Sequence, residues 1–234
     1  MIKLAVFDLD GTLIDSLPSI AHALDSALAA INYPLVGEDN TRQWIGNGSD
    51  VLVARGMSRS RQINADLPPE LLANARQIFN QTYQAAGHQF DRIYPNVAPT
   101  LDKLAAKGIK MAVLTNKTEC FVEPILQHFA IDQHFKYVIA GNTLSERKPS
   151  PLGLHWLANK FQVTAQEMLM VGDSENDIKA AQAAGCLSIG LTYGYNYGVP
   201  ISEADPDFVI DDFAQLLDIP ALKHTQHALL EETV

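Results

Sequence analysis

Residues 2–16 read IKLAVFDLDGTLIDS, and the fold turns on how that run ends. Ile2 to Phe7 is an apolar stretch of strand length, with no helical period. It stops at Asp8-Leu9-Asp10-Gly11, acids set in a turn signal. Comparable runs recur at Lys110–Leu114, Tyr137–Ala140, Met168–Val171 and Leu187–Leu191, with Phe208–Ile210 as a candidate sixth. Helical patterns separate them at Val97–Lys107, Glu119–Phe129, Leu152–Phe161 and Asn176–Ala184, with Gly108 and Gly185 where helices stop. Alternation of this kind predicts an α/β protein: a doubly wound parallel sheet, Rossmann-like, covered on both faces.

One segment breaks the rhythm. Between Ser16 and Phe90 no strand pattern occurs, only helical ones. Ser16 is the expected N-cap of a helix through Ile20, Ala23, Leu24, Ala27 and Leu28. Pro68-Pro69 opens another, carrying Leu71, Leu72, Ala75, Ile78, Phe79 and Tyr83. This is too long for a loop. The division expected is a core of residues 1–15 and 91–234 with an all-helical insert at 16–90. The tail from Lys223 reads as a short helix or frayed end.

Composition narrows the class. Of 234 residues, 47% are hydrophobic, ample for a core without staples. The net charge of -10 disfavours binding to duplex nucleic acid or to an anionic membrane surface. No stretch has the length or apolarity of a bilayer span or a secretory signal, so a cytoplasmic location is expected. Cys120 and Cys186 read as small core residues rather than a required disulfide. His22, His88, His128, His134, His155, His224 and His227 show no ligand spacing on a common face. The alternating Tyr193, Tyr195 and Tyr197 are broken by glycines and read as a packed surface loop, while Ser174 and Asn176 read as shaping an acidic loop.

The chemistry is expected beyond the strand ends. Asp8 and Asp10 follow the first strand, Thr115 and Asn116 the second, Lys148 lies after the third, and Asp173 and Asp177 follow the fourth. In an open parallel sheet those carboxyl ends line the ligand crevice. Asp8, Asp10 and Asp173 would then be crowded, and two carboxylates about 4 Å apart repel by about 4 kcal/mol at an effective dielectric of 20. A cation must sit among them, and an oxygen-only ligand set favours a hard ion, Mg2+. Lys148, Thr115 and the backbone N–H groups of Leu9, Asp10 and Asn116 would cradle a phosphate. A carboxylate nucleophile beside Mg2+ and a phosphate clamp suggests phosphoryl transfer. Thr115-Asn116 is also expected to cap the next helix.

DLDGTLIDS, Thr115-Asn116, Lys148-Pro149 and GDSENDI, in this order and spacing, resemble the four signature segments of haloacid dehalogenase-like hydrolases. The resemblance implies that Asp8 attacks phosphorus, and that Asp10 protonates the leaving oxygen, activates the water and lends its backbone carbonyl to the metal. It implies that Thr115 and Lys148 hold the phosphoryl group, that Asp173 ligates Mg2+, and that Asp177 acts nearby or on Lys148. An acid at Asp10 is similar to phosphatases and mutases of the family, and the insert resembles the helical cap of one subgroup. That insert holds no lysine, which sets aside a resemblance to the Schiff-base phosphonatases. WIGNG, GYNYG and the TNK run of residues 115–117 resemble bacterial phosphoglycolate phosphatases, which implies 2-phosphoglycolate as the substrate. Another phosphomonoesterase, a pyrophosphatase or a sugar phosphomutase is the alternative. Arg42, Gly46, Asn47, Gly48 and Lys117 are candidates to read the substrate, a small phosphorylated metabolite. A monomer or homodimer is expected.

Overall fold

The computed structural model describes residues 1–223. The tail beyond Lys223, with His224 and His227, lies outside the described residues. In chain order the elements are β1 (Leu4–Phe7), β2 (Ile14–Asp15), α1 (Leu17–Ala30), α2 (Gly37–Trp44), α3 (Ser49–Ser58), α4 (Pro69–Ala86) and β3 (Arg92–Ile93). They continue with α5 (Val97–Ala106), β4 (Lys110–Leu114), α6 (Val122–His128), β5 (Tyr137–Ile139), α7 (Leu152–Phe161), β6 (Met168–Gly172), α8 (Glu175–Ala184), β7 (Leu187–Leu191), β8 (Phe208–Ile210) and α9 (Pro220–Lys223).

Six strands form one sheet in the order β5-β4-β1-β6-β7-β8, every pair parallel. The central strands β1 and β6 are apolar and buried along their whole length because both their faces are covered. In β1, Ala5 and Phe7 join a cluster with Leu101 and Leu104 of α5 and Ile125 of α6. Leu4 and Val6 point the other way and join Leu154 and Leu157 of α7 and Ala181 of α8. Burying each such Leu or Phe contributes roughly 1.5–3 kcal/mol. Both faces of β1 are therefore committed, and its end is fixed with little freedom.

The chain leaves β1 for β4, builds outward to β5, then returns to β6 on the other side of β1. The order reverses at β1, and the crevice of a doubly wound sheet opens at such a switch point, beyond the strand ends.

Helices α1 to α4 form the expected all-helical cap. It has its own core, in which Leu24, Leu28, Leu52, Val53 and Phe79 are buried together. A two-stranded antiparallel ribbon, β2 with β3, ties the chain's exit into the cap to its return, pairing Ile14 with Ile93 and Asp15 with Arg92. Strands this short carry no readable period, so no pattern in the sequence announces them.

Two local expectations are corrected. Ser16 precedes α1, but its hydroxyl makes no cap bond and donates instead to Asp10 Oδ1. The helix start is served by Tyr195, whose hydroxyl accepts from the backbone N–H groups of Ser16 and Leu17, each at 3.0 Å. Cys186 is buried as expected, but Cys120 is exposed, and both are free. Cys120 lies in the 3-10 turn Glu119–Phe121 that replaces the first turn of the expected helix. Among the described residues, no helix is long and apolar enough to cross a membrane.

Candidate active site

Asp8, Thr115 and Asp173 each sit one residue past a strand of the central three, β1, β4 and β6. The register that pairs Phe7 with both Val113 and Val171 brings these ends level. Asp8 is tied down by its N–H, which donates to the Val171 carbonyl at 3.0 Å.

Lys148 arrives from the loop before α7 and is buried among the acids. Its ammonium stands 2.8 Å from Asp8 Oδ1 and 2.6 Å from Asp177 Oδ1. Burial opposes that charge, but Asp177 and Asp8 outweigh it and hold the ammonium above the ordinary lysine range. Asp177 also accepts from the Ser174 N–H at 3.0 Å, closing a capping box at the start of α8. Gly172 permits this approach: a Cβ there would lie 2.2 Å from Asp177 Cγ.

Asp173 is held from two sides. Thr12 Oγ1 donates to its Oδ1 at 2.8 Å, and the Tyr195 N–H donates to its Oδ2 at 2.8 Å. Gly11 lies against the same carboxylate with φ +85°, a conformation that side-chain-bearing residues rarely adopt. Burial, with the charges of Asp8 and Asp177, pushes the Asp173 carboxyl up to about 8. Asp177 is also pushed up, by burial acting against the pull of Lys148.

Oxygens of Asp8, Asp173 and Asp177 lie within 4.8 Å of one another. One ammonium faces these three acids, and Asp8 Oδ1, though buried, accepts no hydrogen bond of ordinary geometry. Surplus negative charge and carboxylate-only donors fit a hard divalent cation.

Asp10 departs from the expected crowd. Its carboxylate is not one of the three clustered acids and takes Lys117 Nζ at 2.9 and 3.2 Å and the Ser16 hydroxyl. Asp177 is the third member of the cluster in its place. The physical reason is that Asp10 has its own buried cation. Lys117 also donates to the Tyr83 hydroxyl at 2.9 Å, and Asp10 outweighs burial to raise the lysine above its ordinary range.

Thr115 is buried, and its hydroxyl accepts from the Lys117 N–H at 3.2 Å. It caps no helix, because the next helical turn begins at Glu119 after Thr118. Asn116 Nδ2 donates to the carbonyls of Lys148 and Gly46, each at 2.9 Å. Leu9 is fully buried, and its carbonyl closes the turn after β1 by accepting from Leu13 and Ile14.

Cap and core enclose a cavity reached by Asp8, Asp10, Thr115, Asn116, Lys117 and Asp173 from the core. The cap supplies Gly46, Gly48, Ser49 and Tyr83, with an apolar wall of Ile20, Leu52 and Phe79. Of the residues expected to read the substrate, Gly46, Gly48 and Lys117 line this cavity, and Arg42 and Asn47 do not. Arg42 lies over the Tyr195 ring, 5.2 Å from its centre, beside a separate surface groove. Asn47 is a tie between cap and core: its carbonyl accepts from Arg147 at 2.6 Å and its Oδ1 from the Tyr197 hydroxyl at 2.9 Å.

Sequence reasoning missed Tyr83, Tyr195, Tyr197 and Arg147. Tyr195 and Tyr197 are buried rather than on a surface loop, and Tyr195 donates to Asp15 while its backbone holds Asp173. The alternating tyrosines were the available signal. Arg147 pairs with Asp50 of the cap through two contacts at 3.0 Å, and nothing in its local sequence marks it.

Residues 5–191 match the family model described as haloacid dehalogenase-like hydrolase. The chain is 51% identical over 218 residues to the phosphoglycolate phosphatase of Vibrio cholerae, covering 93% of this chain and 96% of that protein. It is 46% identical over 218 residues to that of Haemophilus influenzae, covering 93% and 97%. The crystal structure described as a predicted phosphoglycolate phosphatase from Haemophilus somnus superposes with a TM-score of 0.88 at 42% identity, covering 93% of this chain and 97% of that one. With the sheet order, the strand-end acids and these relatives in agreement, the chain belongs to the haloacid dehalogenase-like hydrolases.

Proposed function

We propose that this hydrolase converts 2-phosphoglycolate and water to glycolate and phosphate through a phosphorylated Asp8, with residues 16–90 acting as the lid over a core of residues 1–15 and 91–234. The observation that carries the reading is the division of labour between two neighbouring acids. Asp8 faces Lys148 and the acidic cluster. Asp10, two residues on, faces Lys117 and Ser16. This division supports Asp8 as the acid beside the phosphate clamp and Asp10 as the acid that serves the ester oxygen.

In the first step an Asp8 oxygen bonds to phosphorus, the ester P–O bond breaks, and the leaving oxygen takes its proton from Asp10. In the second, Asp10 receives a proton from water as that water bonds to phosphorus and the Asp8–phosphorus bond breaks. Lys148 and Thr115, with the backbone around Leu9, Asp10 and Asn116, hold the phosphoryl oxygens. Mg2+ would be held by Asp8, Asp173 and the Asp10 backbone carbonyl, where it neutralises the acids and polarises phosphoryl oxygens. Asp177 holds Lys148 in place at 2.6 Å. The cap wall of Ile20, Leu52 and Phe79 excludes water from the reacting bond.

The substrate rests on the similarity to enzymes named phosphoglycolate phosphatase over nearly the whole chain. The test is a panel of phosphorylated metabolites with purified protein and Mg2+, scored by free phosphate. 2-Phosphoglycolate is expected to show the highest kcat/KM. Transfer to a second hydroxyl compound without phosphate release would replace the hydrolase reading with a mutase.

A further inference from the structure

Lys117 differs from the other cations around the site. Lys148 is enclosed between Asp8 and Asp177. Arg147 reaches across to Asp50 and Asn47 of the cap, and Arg42 lies over the Tyr195 ring. Among the described residues, Lys117 is the one cationic side chain lining the cavity beside Asp8. Its ammonium is buried, 2.9 Å from Asp10 Oδ1 and 2.9 Å from the Tyr83 hydroxyl. The surrounding wall is apolar, formed by Ile20, Leu52, Phe79 and Phe121. When Asp10 carries the proton it passes to the leaving oxygen, the ammonium is no longer neutralised, and against an apolar wall such a charge attracts an anion several-fold more strongly than a surface lysine does.

We infer that Lys117, supported by Tyr83, is the receptor for a second anionic group on the substrate, a carboxylate on the carbon next to the ester oxygen. The inference rests on the phosphatase reading above and assigns the residue that selects its substrate. Distances favour it. Asp10 must approach the leaving oxygen to about 2.8 Å to pass it a proton. Since Lys117 Nζ is 2.9 Å from Asp10, the leaving oxygen comes to within roughly two hydrogen-bond lengths of the ammonium. A carboxylate one carbon away spans that gap. A neutral alcohol would leave the ammonium with nothing new to bind.

The two elements that build this receptor come from different parts of the chain. Lys117 follows β4 of the core, whereas Tyr83 belongs to α4 of the cap. Phe121, beside Lys117 in the cavity wall, packs edge-on to the Tyr83 ring with centres 5.0 Å apart. The receptor is therefore complete only where cap and core meet, which couples recognition of the carboxylate to closure. A lysine that served only to place Asp10 would need no part in the cavity wall.

The test compares kcat/KM for 2-phosphoglycolate and for ethyl phosphate, which lacks the carboxylate, in the native enzyme, Lys117→Met and Tyr83→Phe. The native enzyme is expected to favour 2-phosphoglycolate. Lys117→Met leaves Asp10 without its partner and is expected to slow both substrates, but its loss on 2-phosphoglycolate is expected to exceed its loss on ethyl phosphate by about tenfold or more, as when a buried charge loses its partner. Equal losses on both substrates would overturn the receptor while leaving the phosphatase reading in place. A native enzyme without preference overturns the substrate reading itself, so the two failures are distinguishable. If Lys117→Met does not fold, Tyr83→Phe decides. Its loss on 2-phosphoglycolate is expected to exceed its loss on ethyl phosphate by about threefold or more, as for one hydrogen bond, and equal losses overturn the proposal.

Discussion

Asn176, in the first turn of α8, donates from Nδ2 to the backbone carbonyl of Gly46 in the cap at 3.1 Å. The residue therefore joins the loop that carries Asp173 to the turn that roofs the cavity. Its second donor contact, to the Tyr197 hydroxyl at 2.8 Å, holds it in that direction. Replacing it by alanine leaves the cap turn one donor short where it meets the core. Asn176→Ala is expected to lower kcat/KM about tenfold, the equivalent of one buried hydrogen bond. Asn176→Asp should lower it further, because a carboxylate oxygen would face the carbonyl. Steady-state kinetics with unchanged kcat/KM in both variants would remove this tie from the catalytic cycle.

Asp8→Asn keeps the size of the side chain and removes its nucleophilic charge. Turnover is expected to vanish against background, while circular dichroism and Tm stay near those of the native protein. The Asp8 N–H bond to Val171 is a backbone contact and survives the change. Activity near the native level would exclude Asp8 as the group that is phosphorylated.

Mg2+ should stabilise the protein more at higher pH. Asp173 is pushed up to about 8 by burial and by its acidic neighbours. An acid raised above its unfolded value costs stability that is absent at low pH and grows as the pH rises towards the folded pKa. Cation binding needs that carboxylate ionised, so protons compete with the metal below about pH 8. The rise in Tm on adding Mg2+ is expected to grow from about pH 6 to about pH 8 and then level off. A chelator should abolish activity, and Mg2+ should restore it. A thermal shift that does not vary with pH would show that the ion displaces no proton from Asp173.

Tyr195→Phe removes a hydroxyl that accepts from the N–H groups of Ser16 and Leu17 and donates to Asp15 at 2.8 Å. Two N–H groups at the start of α1 would be left without a partner, at a cost of about 1–3 kcal/mol. A fall in Tm of about 2–4 °C per kcal/mol is expected for a chain of this size. The Tyr195 N–H that holds Asp173 is retained, so the loss in kcat should be smaller than for Asn176→Asp. Calorimetry showing an unchanged Tm would mean that water replaces the hydroxyl.

The sheet was legible in the chain because its signal is local. Strands buried on both faces must be apolar along their whole length, and the helices between them must show a helical period, so β4, β7, β8 and α7 fall where pattern alone puts them. The acids and Lys148 were legible because strand ends in such a sheet converge. The ribbon β2–β3 was not, since two residues per strand hold no period.

Sequence alone determined that the strand-end residues Asp8, Asp10, Thr115, Asn116 and Asp173 meet at the crevice, because sheet topology fixes where strand ends go whatever the side chains do there. Tertiary structure alone decided how their charges are shared out: Asp177 rather than Asp10 joins Asp8 and Asp173, and Lys117 takes Asp10. Charge pairing acts over a few ångströms, between groups from β-strand loops and a cap helix far apart in the chain. No spacing in the sequence encodes which lysine reaches which carboxylate, nor that a cap tyrosine, Tyr83, stands on the far side of the one that holds Asp10.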